Sequence, residues 1–380
     1  MIEVQVRVIR YEARGGWSAE LPRELDSPQT LVLVFFAPRY IDAPAPVHAV
    51  AEAFPSSIVG GCSTGGEIVA GEVFDDSIVV TVVRFDSVTP SRACVPIHGD
   101  AASLGAGHEL GQELRKDQLR AVLVLSHGVN VNGTGLVRGL RESLPASVQI
   151  AGGMAADGPR FRRTVVFDGR AGVLGERALA IGFHGDRLRV GCASRGGWDV
   201  FGLERRITRS EGNIVLELDG RPALDLYRQY LGDRAEDPAA ALLFPLAIRA
   251  GREDSRLVRS VLAVDEERRA LRFAAEMPEG WLAQLMRANS DRLILGAMEA
   301  AEEAADSTEV APVLAIAISC VGRRMVLGER TEEEVEGTHE ALPAGSVQVG
   351  FYSGGEIGRQ GQGRCEFHNQ TMTVVTLSEA

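Results

Sequence analysis

One twelve-residue segment occurs twice in this chain, once near each end. Residues 57–68 (SIVGGCSTGGEI) return as residues 346–357 (SVQVGFYSGGEI) at a constant offset of 289, without a gap and with six identical columns. In both copies a short apolar run ends in paired glycines and a glutamate, Glu67 in the first and Glu356 in the second. Because glycine allows backbone conformations and close approaches that other residues resist, each copy predicts a tight turn that presents one carboxylate. The repetition indicates two related halves.

Both copies are preceded by an apolar run and a helical segment. The runs are residues 31–36 (LVLVFF) and 313–320 (VLAIAISC), and the helical segments are residues 46–54 and 331–342. Strand–helix–strand units of this kind favour parallel pairing of the two strands and a mixed α/β architecture. The expected fold class is therefore α/β, with two related mixed α/β domains. Their duplicated strand–helix–strand units end in Gly-Gly-acid turns.

A fainter third copy lies between the other two. Residues 121–126 (AVLVLS) are followed by a helical segment near residues 136–144. Residues 147–157 (SVQIAGGMAAD) then repeat the pattern of small residues before an acid, which here is Asp157. This copy shares Ser-Val-Gln with the start of the C-terminal copy, and that match sets its alignment.

Charge and cysteine usage exclude several classes of protein. The net charge of −12 argues against a nucleic-acid partner, because binding to a phosphate backbone needs a basic face. The five cysteines are scattered, odd in number and without a C-x-x-C pair, which disfavours a disulfide framework or structural zinc and favours a reducing compartment. The N-terminal residues lack a signal-peptide pattern, and no apolar stretch is long enough to span a bilayer. A soluble cytoplasmic protein without a membrane partner is expected.

A hydrolase motif is present in the first copy but lacks its usual context. Residues 61–65 (GCSTG) match the G-x-S-x-G nucleophile elbow, with Ser63 as the nucleophile. An elbow leads from a strand into a helix, whereas residues 66–73 are broken by glycines and lead into another strand. The second copy has Tyr352 in place of the serine. We therefore predict no catalytic residue, no metal site and no enzyme, and catalysis by the paired carboxylates is the weaker alternative.

The candidate ligand-binding residues surround the two turns. Each glutamate has two interpretations: it closes its own turn by accepting N–H groups, or it binds an ammonium or hydroxyl group of a ligand. His368 is either a turn histidine or a ligand contact, and Cys320 is either a buried small residue or one placed at a strand end where ligands bind in open α/β sheets. The predicted ligand-binding set is Glu356, Tyr352, Ser353, Gly354, Gly355, His368, Asn369, Cys320, Arg323, Glu67, Ser63 and Thr64.

The same segments resemble the FIST-domain family, a bacterial family of sensory proteins with an N-terminal and a C-terminal FIST part. The order and number of the similar segments carry the resemblance, since no single motif is decisive. Segments similar to FIST N are residues 31–36, 61–68 (GCSTGGEI) and 152–169, and segments similar to FIST C are residues 196–202 (GGWDVFG), 217–227 (ELDGRPALDLY), 319–330 (SCVGRRMVLGER), 350–358 (GFYSGGEIG) and 367–377 (FHNQTMTVVTL).

The resemblance implies a domain order and a function. The expected parts are an N-terminal extension (1–27), a FIST N-type domain (28–190), a junction (191–213) and a FIST C-type domain (214–380). The implied function is recognition of a small molecule, with amino acids as proposed ligands, and signalling to a separate protein such as a histidine kinase or a cyclic-di-GMP enzyme. A subgroup is similar to haem proteins that sense nitric oxide and regulate a histidine kinase. In that alternative haem is the cofactor, and we infer His368 as its ligand from position alone.

Overall fold

The computed structural model describes residues 4–236, 238–252, 254–361 and 363–380. They form three structurally related units and an additional sheet, which we call the cap. Each unit contains two parallel strands joined by a helical crossover, and a third strand that runs antiparallel to the first. The mixed α/β fold and the duplication expected from the sequence are therefore confirmed, and the faint third copy is a complete unit.

The first unit is built around a strand that is buried along its whole length. Its elements are β1 (Gln5–Glu12), β2 (Gly16–Trp17), β3 (Thr30–Phe36), α1 (Ala45–Ala53), β4 (Ile58–Ser63), β5 (Glu67–Val69), β6 (Glu72–Phe74) and β7 (Ser77–Arg84). Strand β3 is parallel to β4 and antiparallel to β7, which pairs in turn with β1. All seven residues of β3 are buried, as a continuous apolar run in a sheet covered on both faces requires.

The second unit has the same strand order as the first unit. In sequence, one helix precedes its first central strand and another helix follows it. Its elements are β8 (Thr89–Pro96), α2 (Ser103–Leu114), β9 (Leu119–Ser126), α3 (Gly133–Ser143), β10 (Gln149–Met154), β11 (Val166–Asp168), β12 (Gly172–Leu174) and β13 (Arg177–His184). Helices α2 and α3 pack closely because Gly107 faces the Leu136 carbonyl, where a Cβ atom would lie only 2.3 Å from the oxygen. The G-x-G-x-x-x-G run in α2 therefore serves helix packing.

The cap follows strand β14 (Leu188–Arg195), which belongs to the third unit. Its elements are β15 (Asp199–Val200), β16 (Arg205–Glu211), β17 (Ile214–Leu218), β18 (Arg221–Pro222), α4 (Ala223–Leu231), α5 (Pro238–Leu243), β19 (Leu246–Arg249), β20 (Leu257–Arg259), β21 (Val261–Asp265), β22 (Ala270–Phe273) and β23 (Leu282–Arg287). The cap strands form one sheet with its own hydrophobic core, which includes Ile207, Leu224 and Phe273. The cap is therefore an independent packing unit inserted into the third repeat.

The third unit resumes after the cap. Its remaining elements are α6 (Ser290–Thr308), β24 (Leu314–Cys320), α7 (Val321–Leu327), α8 (Thr331–Glu340), β25 (Val347–Ser353), β26 (Glu356–Arg359), β27 (Cys365–His368) and β28 (Met372–Glu379). Strand β24 is parallel to β25 and antiparallel to β28, which pairs with β14. Short 3-10 helices occupy Arg23–Leu25, Pro38–Ile41, Asp100–Ala102, Gly232–Glu236 and Gly328–Arg330.

The hairpins that follow the three turns join the units in a ring. Hairpin β5–β6 of the first unit extends the sheet of the third at β25, and β26–β27 of the third extends the sheet of the second at β10. Hairpin β11–β12 of the second unit extends the sheet of the first at β4. The three sheets share one central core, in which the rings of Phe35 and Phe351 are 4.6 Å apart. Each unit is therefore completed by a strand pair from another unit.

The third copy aligns one residue away from the position that the sequence predicts. Gly61, Gly152 and Gly350 are equivalent, because each faces its paired strand so closely that a Cβ atom would lie 1.8–1.9 Å from a carbonyl oxygen. On the neighbouring hairpins, Glu67, Glu356 and Val166 then occupy equivalent positions. Residues 157–164 are an insertion, which we call the middle loop. A run of glycine and alanine residues fits either alignment. The Ser-Val-Gln shared by residues 147–149 and 346–348 therefore predicts the wrong register.

Strand pairing also crosses the predicted domain boundaries. Residues 5–12, assigned to an N-terminal extension, form β1 and pair with β7 over eight positions. Strand β14 spans the predicted boundary at residue 190 and pairs with β28, nearly two hundred residues away. The predicted junction continues into β15 and β16 of the cap. Strand β14, the edge strand of the third unit, precedes the cap in sequence. The inserted cap therefore separates it along the chain from β28, the strand with which it pairs.

Candidate functional site

The Glu67 carboxylate is fully buried and is held inside its own unit. It accepts hydrogen bonds from the Thr64 hydroxyl and, at 2.6 Å, from the Ser77 hydroxyl. Ser63, the predicted nucleophile of the hydrolase motif, is also fully buried and accepts the Val165 N–H at 3.1 Å. Burial raises the pKa of Glu67 to about 8, because a charged carboxylate loses its hydration there. The turn geometry is that of a carboxylate closing its own loop.

Glu356 repeats this arrangement in the third unit. Its carboxylate accepts hydrogen bonds from the Ser353 hydroxyl at 2.7 Å and from the hydroxyl and N–H of Thr371 at 2.9 and 3.1 Å. Burial raises its pKa to about 7. We call Thr64–Glu67–Ser77 and Ser353–Glu356–Thr371 the outer triads. By strand register, the equivalent positions in the middle unit are Ala155, Val166 and Arg177.

Neighbouring predicted residues fasten the turns to the rest of the protein. The Gly354 N–H donates to the Met154 carbonyl at 3.0 Å, and the Gly355 carbonyl accepts the Met154 N–H at 2.8 Å. A Cβ atom on Gly355 would lie 2.4 Å from the ring of Phe367, so close packing requires glycine at this position. The exposed fraction of Asn369 is 1%, and its Oδ1 atom has no hydrogen-bond partner among the described residues.

Tyr352 and Arg323 belong to a buried ionic network centred on Glu334. The Tyr352 hydroxyl donates to Glu334 at 3.1 Å, and Arg323 donates to the same carboxylate at 2.6 and 2.7 Å. Arg323 also donates to the carbonyls of Gly196 and Leu293, which precede and follow the cap in sequence. All three side chains of the network have no exposed surface. The network ties α6, α7 and α8 together.

His368 and Cys320 are buried as well. The Nε2 atom of His368 lies 3.1 Å from the Gly358 carbonyl, and burial, with a smaller contribution from Arg259, lowers the His368 pKa to about 4. Burial raises the pKa of the Cys320 thiol well above its usual range. A haem ligand needs an open face beside its coordinating nitrogen, whereas His368 is only 1% exposed with Nε2 engaged by a carbonyl. These residues do not fit a haem.

A large cavity lies elsewhere, between the second unit and the cap. The interface cavity, as we call it, has a volume of about 970 Å³. Its walls are the 3-10 helix at Asp100, the loop after β9, the middle loop, the turn between β16 and β17, Leu242 of α5, the cap strands β21 and β22 with the residues that follow β22, and Met325 of α7. In open α/β sheets, ligands bind beyond the carboxyl ends of the strands, and β9 ends at this cavity. Its volume is in the range of small-molecule sites.

Polar groups from both walls face the interface cavity. Asn132 caps helix α3 by accepting the Gly135 N–H at 2.9 Å, and its amide donates to the Glu276 carboxylate of the cap at 2.6 Å. Asp100 and Arg272 also line the cavity, and both side chains are in exposed residues. Within the described ranges, neither side chain has a hydrogen bond or an ion pair. The cavity thus presents an unpaired carboxylate and an unpaired guanidinium.

Two further cavities lie outside the interface between the second unit and the cap. One, of about 480 Å³, is lined by His48, His127 and Arg162 beside the hairpin β11–β12. The other, of about 840 Å³, lies at Trp198 and Arg256, where the cap leaves the third unit. In the part of the chain that the structure describes, no group of three or more histidine, cysteine or acidic residues is arranged to hold a metal ion.

The sequence motifs predict a site at the turns, whereas the interface cavity is formed by residues outside those motifs. The twelve predicted residues are at most slightly exposed, apart from a half-buried Gly354, and none lines the interface cavity. The residues that do line it come from segments far apart in the chain, such as Asn132, Arg272 and Met325. One sequence signal points to this cavity. Asn132 precedes a helical segment and follows an apolar strand, which is the pattern of a helix cap near the end of a strand.

Family comparison covers most of the chain. Residues 30–221 match the model of the FIST N domain, and residues 223–359 match the model of the FIST C domain. The chain belongs to the FIST family. FIST domains are sensory domains of signal transduction that bind small ligands. A comparison with curated proteins returned no match.

The two family matches meet inside the cap, and the interface cavity has walls from both. The loop after β9 lies in the FIST N match, whereas Arg272, Glu276 and Met325 lie in the FIST C match. No helix among the described residues of this FIST protein combines the length and the apolar character needed to cross a membrane.

Proposed function

We propose that this FIST protein is a non-catalytic sensor that binds a small zwitterionic metabolite, such as an amino acid, in the interface cavity. The observation that carries the proposal is the pair of unpaired opposite charges, Asp100 and Arg272, in a cavity of about 970 Å³ between the two FIST parts. An ammonium group is complementary to a carboxylate, and a carboxylate is complementary to the forked donors of a guanidinium. Glu276 adds a second acceptor on the cap side.

The position of the cavity links binding to a change that another protein can detect. A ligand that contacts both walls adds a connection between the second unit and the cap, beside the Asn132–Glu276 hydrogen bond. It therefore shifts the balance between cap positions by its difference in affinity for them. We propose that a separate signalling protein, such as a histidine kinase or a cyclic-di-GMP enzyme, responds to the position of the cap.

Haem-based nitric oxide sensing receives no support from the residues around His368. The turns are likewise weak candidates for direct ligand contact, because both glutamates are fully buried and each already accepts hydrogen bonds from donors of its own unit. We therefore move the proposed site from the turns to the interface cavity, and propose that the turns support the frame on which the cavity is built.

A thermal-stabilisation screen of the full chain against the twenty amino acids tests the proposal. A ligand present at one hundred times its Kd stabilises the folded state by about 2.7 kcal/mol, which a thermal shift detects. Arg272→Ala and Asp100→Asn are expected to abolish the shift given by the wild-type ligand. The matched control is Arg268→Ala, which removes another exposed cap arginine that does not line the cavity.

Two results would overturn this proposal. One is a panel in which no amino acid stabilises the wild-type chain. The other is a ligand whose stabilising effect survives both cavity substitutions. Mass spectrometry of the ligand after long incubation separates sensing from catalysis, since a sensor returns its ligand unchanged.

A further inference from the structure

The mouth of the interface cavity carries an unusual concentration of exposed apolar side chains. Seven large hydrophobic residues in the described ranges are substantially exposed, and three of them line this cavity. They are Phe161 at 47%, Leu262 at 42% and Met325 at 42%. Single exposed hydrophobic residues are normal on a protein surface, whereas a group at one concave site marks a place where apolar surface becomes covered.

The three side chains come from three different parts of the molecule. Phe161 is in the middle loop, Leu262 is in β21 of the cap, and Met325 is in α7 of the third unit. They therefore converge only through the tertiary structure. Phe273 and Ala275 also line the cavity, but both are buried, so the accessible apolar surface there comes from the three exposed side chains.

The middle loop is built so that Phe161 is presented at the cavity. Its base is fixed by Asp157, which is 3% exposed and accepts the N–H groups of Arg162 and Arg163 at 2.9 Å each. Phe161 itself has a φ of +48°, in the left-handed region that bulky residues rarely adopt. Such an outlier persists only where the surrounding structure imposes it, and such residues cluster at ligand clamps. Neither outer unit contains an equivalent loop.

We infer that the ligand of the interface cavity is a zwitterion with a large apolar side chain, and that Phe161 closes over that side chain. The inference rests on the proposed function, because it assigns the charged end of the ligand to Asp100, Arg272 and Glu276. Those groups and the apolar group at the mouth occupy the same cavity. An amino acid such as leucine or phenylalanine is complementary both to the charged groups and to the apolar side chains of the cavity. Serine and glutamate would leave the apolar half without a partner, and alanine would fill little of it.

Isothermal titration of the full chain with phenylalanine, leucine, alanine, serine and glutamate tests this inference. Phenylalanine or leucine is expected to bind at least about tenfold more tightly than alanine, because burying a large apolar side chain is worth more than one factor of ten in affinity. Phe161→Ala is expected to remove most of that preference, because the apolar surface that covers a large side chain is then lost. Phe161→Leu, which keeps an apolar side chain, should retain most of it.

Leu295→Ala is the matched control, since Leu295 is 52% exposed on α6 and does not line the cavity. A preference for leucine or phenylalanine that falls in Phe161→Ala and persists in Leu295→Ala supports the inference. Binding that requires Arg272 but does not depend on side-chain size would overturn the inference and leave the proposed function intact. Absence of binding by every amino acid would overturn both. A preference unchanged by Phe161→Ala, with an unchanged melting temperature, would also overturn the role of this residue.

Discussion

The outer units and the middle unit differ at the turn that defines the repeat. In the outer units a buried glutamate is held by two hydroxyl side chains, and the turn is tight. In the middle unit Val166 replaces the glutamate, Ala155 replaces one hydroxyl residue, and the middle loop is inserted between them. That loop borders the interface cavity. Two copies of the turn therefore hold a buried glutamate within their own unit, whereas the copy without the carboxylate carries the loop that borders the cavity.

Introducing the acid into the middle unit should have the largest effect. Val166 has no exposed surface, and Ala155 offers no hydroxyl to a new carboxylate. Val166→Glu is therefore expected to lower the free energy of unfolding by about 3 kcal/mol, because Arg177 at the third triad position offsets only part of the cost of burying the charge. Urea unfolding measures this change. Val166→Met, which adds volume without charge, should cost less than about 1.5 kcal/mol, and equal effects of the two variants would contradict the comparison.

The outer triads predict a pH dependence that the middle unit does not share. In the folded state the pKa values of Glu67 and Glu356 are about 8 and about 7, above the ordinary glutamate value. Between the ordinary value and these raised values the folded state binds more protons than the unfolded state, so the free energy of unfolding falls as pH rises. Between pH 6.5 and pH 8.5 the expected loss is about 2–3 kcal/mol.

The control for this pH dependence is the double variant Glu67→Gln/Glu356→Gln, which should show a flatter profile over the same range. His368 does not interfere, because its pKa is lowered to about 4 and its own contribution changes below pH 6.5. A wild-type profile that rises between pH 6.5 and pH 8.5 would exclude raised pKa values in the outer triads.

Removing one hydroxyl of an outer triad should have a smaller effect. Thr64→Val keeps the side-chain shape but deletes the hydrogen bond to Glu67, and we expect a loss of about 1–2 kcal/mol in the free energy of unfolding. Thr64→Ser keeps the hydroxyl and is the matched control. Ser353→Ala should cost a similar amount in the third unit. Calorimetric unfolding that shows no difference between Thr64→Val and Thr64→Ser would indicate that the carboxylate does not depend on this donor.

The smallest effect is expected in the middle loop. Phe161→Gly removes a bulky side chain from a left-handed backbone position, which glycine occupies freely, although glycine loses more entropy on folding. The net change expected is a gain of about 0.5 kcal/mol in the free energy of unfolding. A thermal melt without ligand measures it, with Leu295→Gly as a helix-surface control that should destabilise instead. A clear loss of stability would show that the Phe161 side chain stabilises the fold by more than its left-handed backbone conformation costs.

The strands and turns of the repeats follow from local sequence. Residues 31–36 form a buried strand because an uninterrupted apolar run matches a central strand covered on both faces. The Gly-Gly-Glu turns follow strands in both outer units, as the duplicated segment predicts. The third copy was found by the same reasoning but placed one residue out of register, because glycine and alanine side chains do not distinguish the two alignments.

The ring of exchanged hairpins and the interface cavity do not follow from local sequence. Each hairpin pairs with a strand of another unit, and no periodicity within the hairpin specifies which one. The cavity brings Asp100, Phe161, Arg272 and Met325 together from four separate segments. By residue type alone, these four residues do not differ from other surface residues.

The α/β class, the repeated units and the FIST family follow from the sequence alone, because these depend on patterns within one segment or on the order of segments along the chain. Which carboxylates accept internal hydrogen bonds, and which charged side chains remain unpaired, depends on how distant segments pack together. Glu67 and Glu356 follow the same motif that suggested a binding site, yet folding surrounds each with donors. Arg272 and Phe161 stand in no motif, and only the approach of the cap to the second unit places them at one cavity.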